Sequence, residues 1–401
     1  MSTAQALPRR RVLFTIFLTV LLDLIGFGMI LPLLTFYGQR YGATAWQIGL
    51  LFAAYSLAQL FFAPPLGRLS DRIGRRPVLV TSIAGSVFAY LLFAFAPSFW
   101  VLVLARALSG IAASNYSIAQ AYLADVSTPE NRSKAMGLIG AAFGLGFVLG
   151  PAFGGTLAHF GGDRAVALAA AGLALVNFLF ALIWLPESLP AELRSRTGKN
   201  PWFDVRGFAQ LAGNTPLFGL LVLFFLITFS FSLMETTLGF YFQQRFGWGS
   251  GQTSYFFVYI GVVLVIVQGG LIGRLVKRFG ERRLILAGMV LMALGLFFLP
   301  TAPTVLLLCV TGALLAIGNG INNPTTLGLL SRLTDESAQG GTIGVSRSFS
   351  ALARFLGGLS GPFLFGLSSP RSGPWPFWAA GGLLTASLFY ARNVLRRISI
   401  G

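Results

Sequence analysis

Five ionisable side chains fall inside long apolar runs of this 401-residue sequence: Asp23, Arg106, Glu235, Arg347 and Arg354. An ionised Asp or Arg at mid-span costs roughly 2.5–3.5 kcal/mol to insert, so each must face a cavity or a partner. A buried carboxylate that water reaches alternately from two sides can take a proton on one and release it on the other. That is the minimum equipment for coupling a solute to a proton gradient. Asp23 lies about eleven residues into the first apolar run. Arg106 lies about seven into the fourth, entered from the opposite side, so the two can come within reach of each other. The plain alternative is a structural ion pair. Below Arg106, Gly110, Ala113, Ser117 and Gln120 continue one small, polar stripe, with Asn115 as a further candidate for substrate contact.

Arg347 and Arg354 are seven residues apart, on one face of the eleventh run. A guanidinium at that depth is shaped for a pair of carboxylate or phosphate oxygens, so the expected substrates include organic anions or zwitterions. Alternatively Arg347 belongs to the membrane rim and Arg354 pairs with Glu235 or a helix C-terminus. Asn319, Asn322, Asn323 and Thr326 share a face of the tenth run, and Tyr255 and Tyr259 a face of the eighth. Both sets are candidate cavity lining, with helix–helix hydrogen bonding as the competing reading.

Other chemistries find no equipment. The single His159 and single Cys309 leave no metal cluster and no internal disulfide, and no Ser-His-Asp or Cys-His set can be assembled. Gly144-x-Gly146-x3-Gly150 lies in an uninterrupted apolar span with no preceding strand, which excludes a dinucleotide loop. An enzyme is not expected, and no cofactor beyond the proton as coupling ion.

The elements that must position these residues follow from composition. The chain is 55% hydrophobic and only 10% charged, too apolar for a soluble domain. Uncharged runs of about twenty residues, enough to cross a bilayer as helix, occur at roughly 12–36, 47–66, 77–96, 99–123, 135–158, 165–185, 217–242, 252–273, 283–300, 304–330, 341–367 and 374–392. The expected fold is an all-α polytopic membrane protein of twelve transmembrane helices. Met1–Arg11 and the run after it resemble a signal peptide, but the run is too long, contains Asp23 and lacks a small-x-small site. The net charge of +17 is topological. Of the 29 Lys and Arg, only Arg40, Arg164, Arg245 and Arg371 fall in the loops of one side, while the other side holds most of the rest. By the positive-inside rule both termini are cytoplasmic, in a cytoplasmic membrane, and nucleic acid is not a partner.

A charged pattern is written twice. "GRLSDRIGRR" (67–76) and "GRLVKRFGER" (273–282) agree at six of ten positions. "FYGQRYG" (36–42) matches "YFQQRFG" (241–247), and Gly150-Pro151 matches Gly361-Pro362, all at offsets of 205–211 residues. The chain therefore reads as two homologous six-helix bundles, 1–186 and 217–401, joined by a polar connector at 187–216 whose "PWFDVRGFAQLAG" suits a surface helix. Superposing the halves aligns Glu235 with Ile30, two turns outward of Asp23. Two such halves suggest alternating access with substrate near the midplane. The plain reading of the charged loops is positive-inside anchoring; an acid at Asp71 works against that signal. In the fifth span, Gly146, Gly150 and Gly154 fall at four-residue spacing on one face, which lets a neighbouring helix approach closely, and Pro151 bends the span.

These residues resemble the major facilitator superfamily. Gly67-x3-Asp71-Arg72-x-Gly74-Arg75-Arg76 is similar to its cytoplasmic signature, Arg106-x3-Gly110 to its drug-exporter arginine motif, and "LLDLIGFGMILPLL" (21–34) to the first helix of tetracycline-efflux-like proton antiporters. Gly137-x8-Gly146-x3-Gly150-Pro151-x2-Gly154-Gly155 fits the antiporter motif at every defined position. The resemblance implies a proton-coupled antiporter exporting small amphipathic organic molecules or drugs, acting as a monomer. A uniporter or symporter for a sugar or metabolite is the nearest alternative, a structural or signalling membrane protein a distant one. It also implies a conformational latch: Asp71 facing the start of the eleventh helix near Gly340–Ile343, with Arg72, Arg75 and Arg76 reaching carboxylates such as Asp125 and Glu130. With Lys277 at the position of Asp71, the second copy should be degenerate.

Overall fold

The structure is a computed structural model, and it describes residues 9–127, 129–190, 194, 215–334, 339–367 and 373–398. Among these there is no strand; the chain is helical almost throughout. The first span runs Arg9–Ile30, tightens into a 3-10 turn at Leu31–Leu33, where Pro32 withdraws a donor, and resumes at Leu34–Arg40. The second is Ala45–Ile73 and the third Arg75–Ala94. The fourth is split into Phe99–Ala112 and Asn115–Val126. Spans five and six share the helical stretch Pro129–Trp184, broken at Gly162 with φ 70°. The seventh is split into Thr215–Glu235 and Leu238–Phe246. The eighth comprises Ser250–Val265, a π-helical turn Ile266–Leu271 and the start of Ile272–Phe298, which breaks at Gly280, φ 74°, to begin the ninth. Val305–Arg332, Gln339–Gly366 and Trp375–Arg397 complete twelve passes among the described residues.

The repeated charged pattern differs from its expectation as a loop. Helix continues through it to Ile73, so Arg68, Asp71 and Arg72 lie on the last two turns of the second span. The only residue outside helix is Gly74, at φ 109° and ψ 155°, and its repeat mate Gly280 has nearly the same ψ, 156°. A left-handed φ is open to glycine and closed to most side chains. That is why both copies keep glycine there while neighbouring positions diverge. The surface helix expected in the connector falls outside the described residues.

Contacts divide the chain into two compact units. One comprises Met1–Leu33 with Ala58–Trp202, the other Leu34–Leu57 with Phe203–Gly401. In the first unit the glycine stripe of the fifth span lies against the first span. A Cβ on Gly150 would stand 2.7 Å from the Gly28 Cα, one on Gly146 2.6 Å from the Leu24 Cβ, and one on Gly154 2.8 Å from the Met29 carbonyl oxygen. Backbone-to-backbone approach of this kind is how helices gain contact in lipid, where apolar burial between them gives little. Gly155 is buried as well, but Gly137 is exposed with open space around it and does not join the stripe.

The second unit repeats the arrangement. Gly357 abuts Ser232 and Gly361 abuts the Leu233 carbonyl, pressing the eleventh span onto the seventh as the fifth is pressed onto the first. Within this unit a Cβ on Gly49 would stand 2.8 Å from the Gly358 carbonyl oxygen, and Gln39 Nε2 donates to Gln243 Oε1 at 2.7 Å. The two repeat-related tips thus bond to each other.

Candidate functional site

Asp23 is half-buried in the first span. Its Oδ2 accepts from Asn115 Nδ2 at 3.3 Å and its Oδ1 from Ser86 Oγ at 3.5 Å. Asn115 reaches it because the fourth span breaks at Ala113–Ser114. Ser114 Oγ bonds back to the Gly110 carbonyl and Ser117 Oγ to the Ser114 carbonyl, the local competition by which serine bends helices. Gln59 Nε2 from the second span caps the Ala113 carbonyl at 3.4 Å. Arg106 is buried on the same span, 2% exposed, nine residues before Asn115. Ser117 and Gln120 are both half-buried. Sequence reasoning missed Ser86 and Gln59; the recurrence of serine at Ser82 and Ser86, both buried, was the available signal.

Glu235 is the last residue of the first helix of the seventh span, where Thr236 and Thr237 interrupt it. Both threonine hydroxyls turn back on the helix: Thr236 Oγ1 donates to the Ser232 carbonyl at 2.9 Å and Thr237 Oγ1 to the Leu233 carbonyl. The first span breaks at the equivalent place, after Ile30, so each half ends a helix at the same depth and only the second puts a carboxylate there. Arg354, half-buried, acts electrostatically on Glu235 from the eleventh span. Ser232 Oγ bonds the Arg354 carbonyl at 3.4 Å, and the neighbouring Gly357 permits that approach. Arg347, two turns earlier, is also half-buried.

The asparagine face of the tenth span divides. Asn319 and Asn323 are half-buried, whereas Asn322 and Thr326 are fully buried. Asn322 Nδ2 meets Met292 Sδ at 3.4 Å, and the Asn322 side chain fills the space over Gly288 of the ninth span. Asn322 is therefore a helix–helix packing residue here. Tyr259 likewise donates from its hydroxyl to the Cys309 carbonyl of the tenth span at 3.0 Å, while Tyr255 is 53% exposed.

In the first copy of the charged pattern the hub is Arg75. It is buried, with Nη1 2.5 Å from Asp71 Oδ1 and 2.7 Å from Ser70 Oγ, and Nε 3.1 Å from Asp125 Oδ2. Its backbone N–H donates to Glu187 Oε1 at 2.9 Å, and that carboxylate also accepts the N–H groups of Ser188 and Leu189. Arg76 donates to the Leu182 carbonyl at 2.7 Å, and Arg72 is exposed. Of the carboxylates expected to receive these arginines, Asp125 does so. The side chains of Glu130 and of residues 340, 341 and 343 fall outside the described ones.

Long apolar helices, a duplicated six-span plan and ionisable groups held within the spans define an all-α, multi-pass membrane transporter with a small-molecule substrate. The sequence profile of the Major Facilitator Superfamily matches residues 16–278 and 266–397, and the chain belongs to that family. It is 33% identical to the class E tetracycline resistance protein of Escherichia coli over 93% of this chain and 92% of that protein. The crystal structure of the human organic anion transporter MFSD10 (TETRAN) superposes with a TM-score of 0.76 at 28% identity, over 96% of this chain and all of that one. The nucleoside transporter NupG has the same fold, with a TM-score of 0.75 at 15% identity over 96% of this chain and all of the other.

Proposed function

We propose that this protein is a proton-coupled antiporter that exports small amphipathic organic molecules, organic anions or zwitterions among them, by alternating access. It resides in the cytoplasmic membrane with both termini cytoplasmic. The observation that carries the reading is the pair of mid-span carboxylates. Asp23 is held by neutral donors, Asn115 and Ser86, and Glu235 lies in the field of a cation, Arg354. Two carboxylates in such different surroundings take up protons under different conditions, and protonating Glu235 releases Arg354 to an anionic solute. The likeness to a tetracycline resistance protein supports export, and that to an organic anion transporter supports the charge class.

Transport into everted vesicles with an imposed pH gradient tests it. Antiport drives solute against the proton flow, whereas symport of a metabolite, the second reading, drives it along. Asp23→Asn and Glu235→Gln should abolish gradient-driven accumulation while leaving equilibrium solute binding within about threefold, since neither change removes a solute contact by itself. Wild-type accumulation in both variants would remove both residues from the coupling.

A further inference from the structure

The two copies of the charged pattern place opposite charges at equivalent positions. Arg75 begins the third span and pairs with Asp125 at the end of the fourth. At the corresponding place in the second half, Glu281 begins the ninth span and pairs with Arg332 at the end of the tenth, at 2.9 Å. The ion pair is retained with its polarity reversed. Lys277 stands where the first copy has Asp71. These two exchanges change what the helix ends present. In the first copy Asp71, Asp125 and Glu187 gather around Arg75. In the second, Glu281 is buried and committed to Arg332. Arg274, Lys277, Arg278 and Arg283 line the same helix ends at the surface, and among the described residues no carboxylate forms a salt bridge with any of them.

We propose that Arg274, Lys277, Arg278 and Arg283 form a binding site for the headgroup of an anionic phospholipid. Arg274, Lys277 and Arg278 are three and four residues apart on one helix, so they share a face. Arg283 follows across the single-residue turn at Gly280. Juxtamembrane cations attract anionic headgroups, and four at a helix end concentrate that field on one phosphate. The apolar neighbours select a lipid over a free phosphate. Phe279 is 42% exposed beside Arg278, whose guanidinium lies 5.4 Å from its ring, and Leu271 is 41% exposed two turns into the membrane-crossing helix. An acyl chain descending from a phosphate held by these cations meets both.

Native mass spectrometry of the purified protein, titrated with phosphatidylglycerol, tests the site. The triple variant Arg274→Gln/Lys277→Gln/Arg278→Gln should bind phosphatidylglycerol more weakly by on the order of fivefold for each cation removed. Lys277→Asp, which writes the first copy's acid into the second, should weaken it further than Lys277→Gln. The control Arg392→Gln/Arg396→Gln/Arg397→Gln removes equal charge from another exposed helix end and should leave binding near wild type. Equal losses in both triple variants would reduce these residues to general membrane anchors and overturn the proposal. So would displacement of the lipid by equimolar glycerol 1-phosphate, or undiminished lipid binding in a correctly folded Lys277→Asp protein.

Discussion

On the proposed function, Arg354 carries two roles. A guanidinium cannot lose its proton under physiological conditions, so in a membrane it must be balanced by a partner or a ligand. Glu235 supplies the field that balances it here. A carboxylated solute entering the same place would exchange one anion for another. Arg354→Ala should therefore weaken equilibrium binding of an organic anion about 10²-fold, in the range lost with one charged hydrogen-bond partner, and Arg354→Lys should restore part of it, because an ammonium keeps the charge and loses the planar fork. Glu235→Gln should strengthen binding of the same anion, within the threefold limit set above, by removing the competitor. Isothermal titration with a panel of organic anions and cations would read both effects. A protein that binds only permanent cations, unaffected by Arg354→Ala, would refute this role.

Among the elements, the fifth and eleventh spans both have a sequence dictated by a neighbour's backbone. Gly150 has the Gly28 Cα and the Ile25 carbonyl on its open side. These are main-chain atoms, which cannot swing away as a side-chain tip can. Gly150→Ala should cost about 1–3 kcal/mol, the usual range for overpacking, seen as a lower unfolding temperature in detergent. Gly137→Ala, in open space at the other end of the same motif, should leave the temperature unchanged or raise it slightly, as alanine favours helix over glycine. Equal destabilisation by both would mean the motif works by something other than packing.

For the whole molecule, the repeat sets a comparison that neither half offers alone. The first copy of the charged pattern is tied into a network through Arg75, while the second has the polarity-reversed Glu281–Arg332 pair and a lysine in place of the acid. If the first copy is the conformational latch, Asp71→Asn should increase cysteine accessibility from the cytoplasmic side, and Lys277→Gln should change it little. Equal shifts from the two substitutions would show that the copies have kept one role.

Fold class, span number and duplication were legible in the sequence because each rests on a one-dimensional property: run length, polarity and a repeat at a fixed offset. Gly74 and Gly280 hold matching positions in the two copies, but that both take a left-handed φ emerged only from the structure. The glycine face of the fifth span could be read from its spacing, but its partner, the first span, could not. Other features depended on what lies across from a residue. Asn322 and Asn323 are adjacent and chemically identical, yet only the first turns onto the ninth span, because Gly288 leaves room for it there. Arg75 reads as one of four similar arginines. It becomes the buried hub only when the third span sets it beside Asp125, fifty residues away. Leu34–Leu57 carries no mark distinguishing it from the chain around it, but its glycines and polar tips pack with the second compact unit. Tertiary structure alone decided that, since close packing selects by shape and distance between segments that sequence keeps apart.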